Sequence, residues 1–149
     1  MAWLKIGPKK GSSPEPSVKV LECTKENFPE LAATVTDGYD SFNGGDNWFT
    51  YHTSGAGTGT IMIGTVDVKG YSKITIETTT HNWGVGVPKA YIYIDGVQFV
   101  RLANSATEST MVTVNPGQEI MNIYIEATHK ASNNAWVEMS ADSVTLLKE

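Results

Sequence analysis

Two runs of alternating apolar and polar residues flank Asp95-Gly96 in the segment Tyr91-Ile-Tyr-Ile-Asp-Gly-Val-Gln-Phe-Val100. Asp-Gly readily takes the two positive-φ positions of a type I′ turn, whose twist matches that of paired strands. The segment is therefore expected to be a β-hairpin. The same grammar of short alternating runs, cut by Gly, Asn, Pro and Thr, continues along the chain. It predicts strands near Val18–Glu22, Trp48–Tyr51, Gly59–Ile63, Tyr71–Thr79, Lys89–Ile94, Val97–Leu102, Ser109–Val114, Ile120–Thr128, Ala135–Ser140 and Ser143–Leu147. Within them Ile74 and Ile76 alternate with Thr75 and Glu77, and Met121, Ile123 and Ile125 alternate with Asn122, Tyr124 and Glu126. Period 2 places one face in a core and one in water, as in antiparallel sheets. Two such sheets cover each other's apolar faces, so the expected fold is an all-β antiparallel β-sandwich. Asn115-Pro-Gly117 is expected to be a tight turn. Phe28-Pro-Glu-Leu-Ala-Ala33 carries the one helix signal, a single turn with Pro at its first position.

The chain has 149 residues, enough for one domain with a real core. Residues 1–17 stand apart. Gly7-Pro-Lys-Lys-Gly-Ser-Ser-Pro-Glu-Pro-Ser17 reads as a linker or extended arm, leaving residues 18–149 for the sandwich. Trp3, Leu4 and Ile6 precede that linker and are expected to act as a docking anchor on another subunit. The first residues hold no apolar stretch of signal-peptide length, so the chain is expected to be made without an export signal or to have lost one. Its apolar runs are far short of the roughly 20 residues that span a membrane as a helix, and no membrane insertion is expected. A net charge of −5 argues against nucleic acid, whose binding needs Lys and Arg against phosphates. Cys23 is the single cysteine, which excludes an internal disulfide and predicts a buried, inert thiol.

The order of the later elements resembles the galactose-binding-like β-sandwich, the jelly roll of many carbohydrate-binding modules. The residues that carry the resemblance are Tyr71–Ile76, the Ile92–Gly96 hairpin, Val112–Val114, Asn122–Glu126 and the closing Asp142–Leu146. The resemblance implies a structural calcium site where the opening segment meets the last strand, with Glu22 and Asp142 as ligands. Calcium takes six to eight oxygens. Asp37 to Asn47 is also rich in side-chain oxygens, but its spacing is not that of an EF-hand loop, and Asx turns account for it. The resemblance further implies a glycan site built on exposed aromatics. The candidates are Trp83, beside His81 and Asn82 in a Gly-rich loop, Trp136, beside Asn133 and Asn134, and Tyr39 and Phe42 in an earlier loop. Trp48 is expected in the core.

No catalytic motif is present. There is no Gly-x-Ser-x-Gly elbow, His-Glu-x-x-His or phosphate loop, and Gly55-Ala-Gly-Thr-Gly59 opens a strand rather than a helix. The three histidines, His52, His81 and His129, fall in polar loops or strand ends, and their convergence is not readable from spacing. The first functional reading is a non-enzymatic structural or adhesion protein of a phage-type particle. It would be docked by its arm, displayed on the virion, and used for decoration or for attachment to a cell-surface glycan. It rests on the missing export signal, the Thr-, Ser- and Asn-rich wet faces and the arm. The second reading is an extracellular carbohydrate-binding module of a secreted bacterial enzyme. The third, an enzyme, requires a histidine or carboxylate pair in a deep pocket.

Overall fold

The computed structural model describes residues 17–36, 39–42, 45–53, 57–84, 89–101, 107–129 and 135–149. The strands are β1 (Val18–Glu22), β2 (Ala32–Thr36), β3 (Tyr39–Phe42), β4 (Trp48–Thr53), β5 (Gly57–Asp67), β6 (Lys73–Gly84), β7 (Lys89–Ile94), β8 (Val97–Arg101), β9 (Thr107–Thr113), β10 (Ile120–His129) and β11 (Ala135–Leu147). They form two antiparallel sheets. The first has the order β3-β4-β11-β6-β9, with β1 also on β11, and the second has the order β2-β5-β10-β7-β8. Consecutive strands from β4 to β9 alternate between sheets apart from the β7-β8 hairpin, while β10 and β11 return to the sheet centres. That is the double Greek key of a jelly roll. The expected all-β sandwich is the fold observed.

The core forms because alternate residues of both sheets point inward. Ile74 and Ile76 of β6, Val137 and Met139 of β11, Ile92 and Ile94 of β7, and Ile123 and Ile125 of β10 are all buried. At one point the sheets approach so closely that only glycine fits. A Cβ on Gly59 of β5 would lie 2.1 Å from Cε1 of Phe49 on β4, and Phe49 is itself fully buried. The β7-β8 turn has φ of 51° at Asp95 and 82° at Gly96, as a type I′ turn requires. Asp95 accepts from the Asn122 amide (2.9 Å) and from Gln118 Nε2 (2.9 Å), tying the hairpin to β10. In the Asn115-Pro-Gly117 turn the Gln118 amide donates to the Asn115 carbonyl at 3.0 Å, with Gly117 at φ 81°.

Several sequence expectations are corrected. The helical turn expected across Phe28–Ala33 is a non-helical turn that leads into β2. The Leu31 amide donates to the Phe28 carbonyl at 2.9 Å, closing one turn that is not continued, and the chain then pairs with β5 from Ala32. Tyr39 and Phe42 are not in a loop but in the edge strand β3, which carries a bulge between its two pairing points with β4. His81, Asn82 and Trp83 lie within β6 rather than in a Gly-rich loop, while His52 and His129 lie at the ends of β4 and β10, as expected. Trp48 is half-buried rather than in the core, and its Nε1 leaves only 3.0 Å for a Cβ at Gly45. The two strands expected at 135–140 and 143–147 are one strand, β11, whose register shifts between Ala141 and Ser143. Beyond that shift Val144 and Leu146 face the core in place of residues of the earlier phase. The anchor residues Trp3, Leu4 and Ile6, and the arm to residue 16, lie outside the described residues.

Candidate functional site

At one end of the first sheet, backbone pairing brings together residues from four strands. Tyr39 pairs with His52, His52 with Trp136, and Trp136 with Trp83. These positions form one row across β3, β4, β11 and β6. The buried positions of β11 are Val137 and Met139, so the row occupies the alternation that faces away from the core, together with half-buried Glu138 and Ser140. At a strand spacing of about 4.7–4.9 Å the four positions extend over roughly 14 Å. The next row on the same face is Phe42, Thr50, Glu138 and His81. The next again pairs Trp48 with Ser140, and Ser140 with Thr79.

Trp83, Trp136, Tyr39 and His81 thus share one face. Asn82 does not, because it pairs with buried Val137 on the opposite alternation. Asn133 and Asn134 lie outside the described residues. His52 is a residue that spacing did not single out. It joins the row only through the β3-β4 and β4-β11 pairings, which leave no trace in the local sequence. Thr50 sits amid these positions, 8% exposed, and its Oγ1 is buried without a hydrogen-bond partner. Such a group is uncommon and calls for a reason. Below it, Asn47 locks the start of β4 to the β11 shift. The Ala141 amide donates to the Asn47 carbonyl, and Asn47 Nδ2 donates to the Ala141 carbonyl, both at 2.8 Å.

Glu22 and Asp142 meet where β1 joins the shifted part of β11. Glu22 pairs with Ser143, and the Cys23 amide donates to the Asp142 carbonyl at 3.1 Å. The Asp142 carboxylate accepts from Thr79 Oγ1 at 2.6 Å and from Ser140 Oγ at 2.7 Å, while Glu22 is exposed. Two hydroxyl donors already occupy the carboxylate. Among the described residues no group of three or more His, Cys, Asp or Glu is placed to hold a metal ion. Calcium at Glu22 and Asp142 stays a proposal that would need further oxygens from elsewhere. Cys23 is buried, and burial first, then Asp142 and Glu22, pushes its thiol up to about 12. A thiol held protonated in this way is a poor nucleophile.

The second sheet also carries aromatics on its outer face. Tyr93 of β7 pairs with Tyr124 of β10, and their rings stack at 4.5 Å between centroids and 8° between planes. Tyr91 lies 6.2 Å from Tyr93, and Gln98 Nε2 donates to the Tyr93 hydroxyl at 2.8 Å. Partial burial, then Tyr93 and Glu126, raises the Tyr124 phenol above its ordinary value. Their alternation with Ile92, Ile94, Ile123 and Ile125 had marked these tyrosines as wet-face residues, with no sign that they would stack.

Among the described residues no helix is long and apolar enough to cross a membrane. No family model and no curated protein matches the chain. Solved structures do. The chain is similar to the carbohydrate-binding module TmCBM61, solved in complex with β-1,4-galactotriose, with 11% identity over 89% of this chain and 88% of that one, at a TM-score of 0.45. It is similar to the C-terminal CBM6 of the laminarinase LamC from Zobellia galactanivorans, with 12% identity over 82% and 99%, at 0.45. It is also similar to a family 11 carbohydrate-binding module from Clostridium thermocellum, with 10% identity over 93% and 91%, at 0.37.

Proposed function

We propose that this chain is a non-catalytic glycan-binding module whose ligand lies along the outer face of the first sheet. The observation that carries this reading is the register row Tyr39, His52, Trp136 and Trp83. Sugar rings present C–H faces that stack on aromatic side chains, and their hydroxyls need hydrogen-bond partners nearby. The row supplies three aromatic residues, one histidine and, in the adjoining row, Thr50, Glu138 and His81. A pairing that aligns residues 39, 52, 83 and 136 is hard to account for by core formation, because this alternation does not face the core. Function outside a cell, as part of a secreted protein, suits such a module. Docking into a particle through Trp3, Leu4 and Ile6 depends on residues outside the described set, and no described feature favours it.

A glycan array with wild type, Trp83→Ala and Trp136→Ala tests the reading. Wild type is expected to bind one class of glycan, and each substitution to weaken that binding about tenfold or more, the scale of losing an aromatic anchor. Circular dichroism and thermal melting of the variants separate lost binding from lost fold. Absence of binding by wild type, or binding indifferent to both substitutions in folded protein, would sink the proposal.

A further inference from the structure

From the hairpin geometry we infer that the β8 edge is a pairing surface for a second copy of this chain, joined antiparallel about a two-fold axis at Phe99. β8 ends the second sheet, with β7 on one side and no described strand on the other. The Asp95-Gly96 turn is flanked by the pair Ile94 and Val97, and the register runs on through Tyr93 with Gln98, Ile92 with Phe99 and Tyr91 with Val100 without a shift. The pair that closes a two-residue turn exchanges both of its hydrogen bonds, and bonded and non-bonded pairs then alternate along the ladder. Val97 and Phe99 therefore direct their backbone groups at β7, and Gln98 and Val100 direct theirs out of the sheet. Such outward groups, two residues apart, complement an identical strand. With Phe99 opposite Phe99 of the second copy, Gln98 of each chain meets Val100 of the other as a hydrogen-bonded pair. Sliding one copy by two residues would set Val100 opposite Gly96, or Gln98 opposite Leu102, both beyond the strand.

The side chains match that register. Val97 and Phe99 lie on the alternation that faces the core, yet Val97 is 56% exposed and Phe99 only partly buried. With Ile94, Val112 and Met121 they line an apolar cleft of about 190 Å³. In the pair of copies the two Phe99 side chains meet at the closely spaced, non-bonded position, and each Val97 is diagonal to the other copy's Phe99. Each copy thus sets apolar side chains against the open side of the other's cleft. On the outer face Val100, also 56% exposed, opposes Gln98 of the second copy. A free edge recruits another strand unless charge or a bulge prevents it. β3 carries a bulge, β1 carries Lys19 and Glu22, β9 carries Glu108, and the valine of β2, Val35, packs on the core. β8 has no bulge, lysine or proline, and its one charged residue, Arg101, is its last. A two-fold pairing uses up the edge, so assembly stops at two copies. Five paired residues make a small contact, so the association is reversible and depends on concentration. It is measured with no sugar present and does not depend on the glycan reading.

The test is sedimentation velocity of the full chain from micromolar to millimolar concentration, for wild type, Val97→Lys, Val100→Pro and Val20→Lys. Wild type is expected to pass from monomer to dimer as concentration rises. Val97→Lys puts a charge on the exposed edge, and Val100→Pro removes an outward amide that the hairpin does not use. Each should weaken dimerisation about tenfold or more. Val20, 59% exposed on β1 in the other sheet, is the control, and Val20→Lys should leave dimerisation unchanged. Melting curves check that each variant is folded. Amide hydrogen exchange on wild type reads the register without any substitution. At dimer-forming concentration the Gln98 and Val100 amides should exchange more slowly than in dilute protein, while those of Val97 and Phe99 stay as they were. A wild type that stays monomeric up to millimolar concentration would overturn the inference. So would species larger than a dimer, a dimer indifferent to both β8 substitutions or weakened equally by Val20→Lys, or unchanged exchange at Gln98 and Val100.

Discussion

On the outer face of the second sheet, the stacked tyrosines come from β7 and β10, elements plain in the sequence, and their rings pack on one another. On the outer face of the first sheet, the aromatic row draws on residues 39, 52, 83 and 136, and two of its four strands, β3 and β6, meet it at positions read as loops. The tyrosine face satisfies itself, since Tyr93 stacks on Tyr124 and takes a hydrogen bond from Gln98. The tryptophan face holds a buried hydroxyl with no partner. A completed stack adds stability, whereas the aromatic row gathered from distant segments around an unmet polar atom is what the glycan-binding proposal builds on. On the glycan-binding proposal, the first face binds and the second supports.

Gly59→Ala should have the largest effect. Its methyl would meet the ring of Phe49, the fully buried residue between Trp48 and Thr50 in β4. Overpacking of a closed core costs roughly 1–3 kcal/mol, and the upper end is expected here. A lowered melting temperature together with weaker glycan binding would show that the first face depends on this close approach. An unchanged melting temperature would contradict it.

Tyr124→Ala should cost about 0.5–1.5 kcal/mol from the lost ring pair and leave glycan binding intact. Equal loss of glycan binding in Tyr124→Ala and Trp83→Ala would erase the distinction between the faces. The last effect is confined to alkaline pH and touches neither face. Cys23 in the folded chain keeps its proton up to about 12, against an ordinary value of 9.0. The folded state therefore favours the neutral thiol. That contribution is complete below pH 9 and declines as pH rises from 9 towards 12, where the unfolded chain ionises first. Urea melts at pH 8 and pH 10.5 should show this decline in wild type and a smaller one in Cys23→Ala.

The alternation of isoleucines and valines made the sandwich legible, and the Asp95-Gly96 hairpin was fully readable. Strand ends were misread where the alternation changes phase. In β5 the apolar pattern Ile61, Ile63 resumes as Val66, Val68 after a register shift at Gly64, which has φ 90° and whose neighbour Thr65 donates its amide to Glu30. In β11 the pattern Val137, Met139, Ala141 resumes as Val144, Leu146. A bulge inserts one residue and resets the phase, so a period-2 reading sees an ending where the strand continues. β2 and β3 were missed for another reason. Ala32-Ala33 in β2 and Asp40-Ser41 in β3 have little strand character of their own, and pairing with β5 and β4 imposes it. Of the site, Trp83, Trp136 and Tyr39 were nameable as residue types. Their alignment, and the place of His52 among them, exists only in cross-strand pairing, which the order of residues does not encode locally.

β11, the last strand of the chain, is hydrogen-bonded to β1, β4 and β6. A nascent polypeptide lacking residues 135–147 has nothing to join its earliest strands to β6. The first sheet therefore cannot close before residues 135–147 have been made, and until then the edges of β4 and β6 stay open. Contacts of such long sequence separation also close slowly. A chaperone that met the chain before then would meet unpaired strand edges of the first sheet.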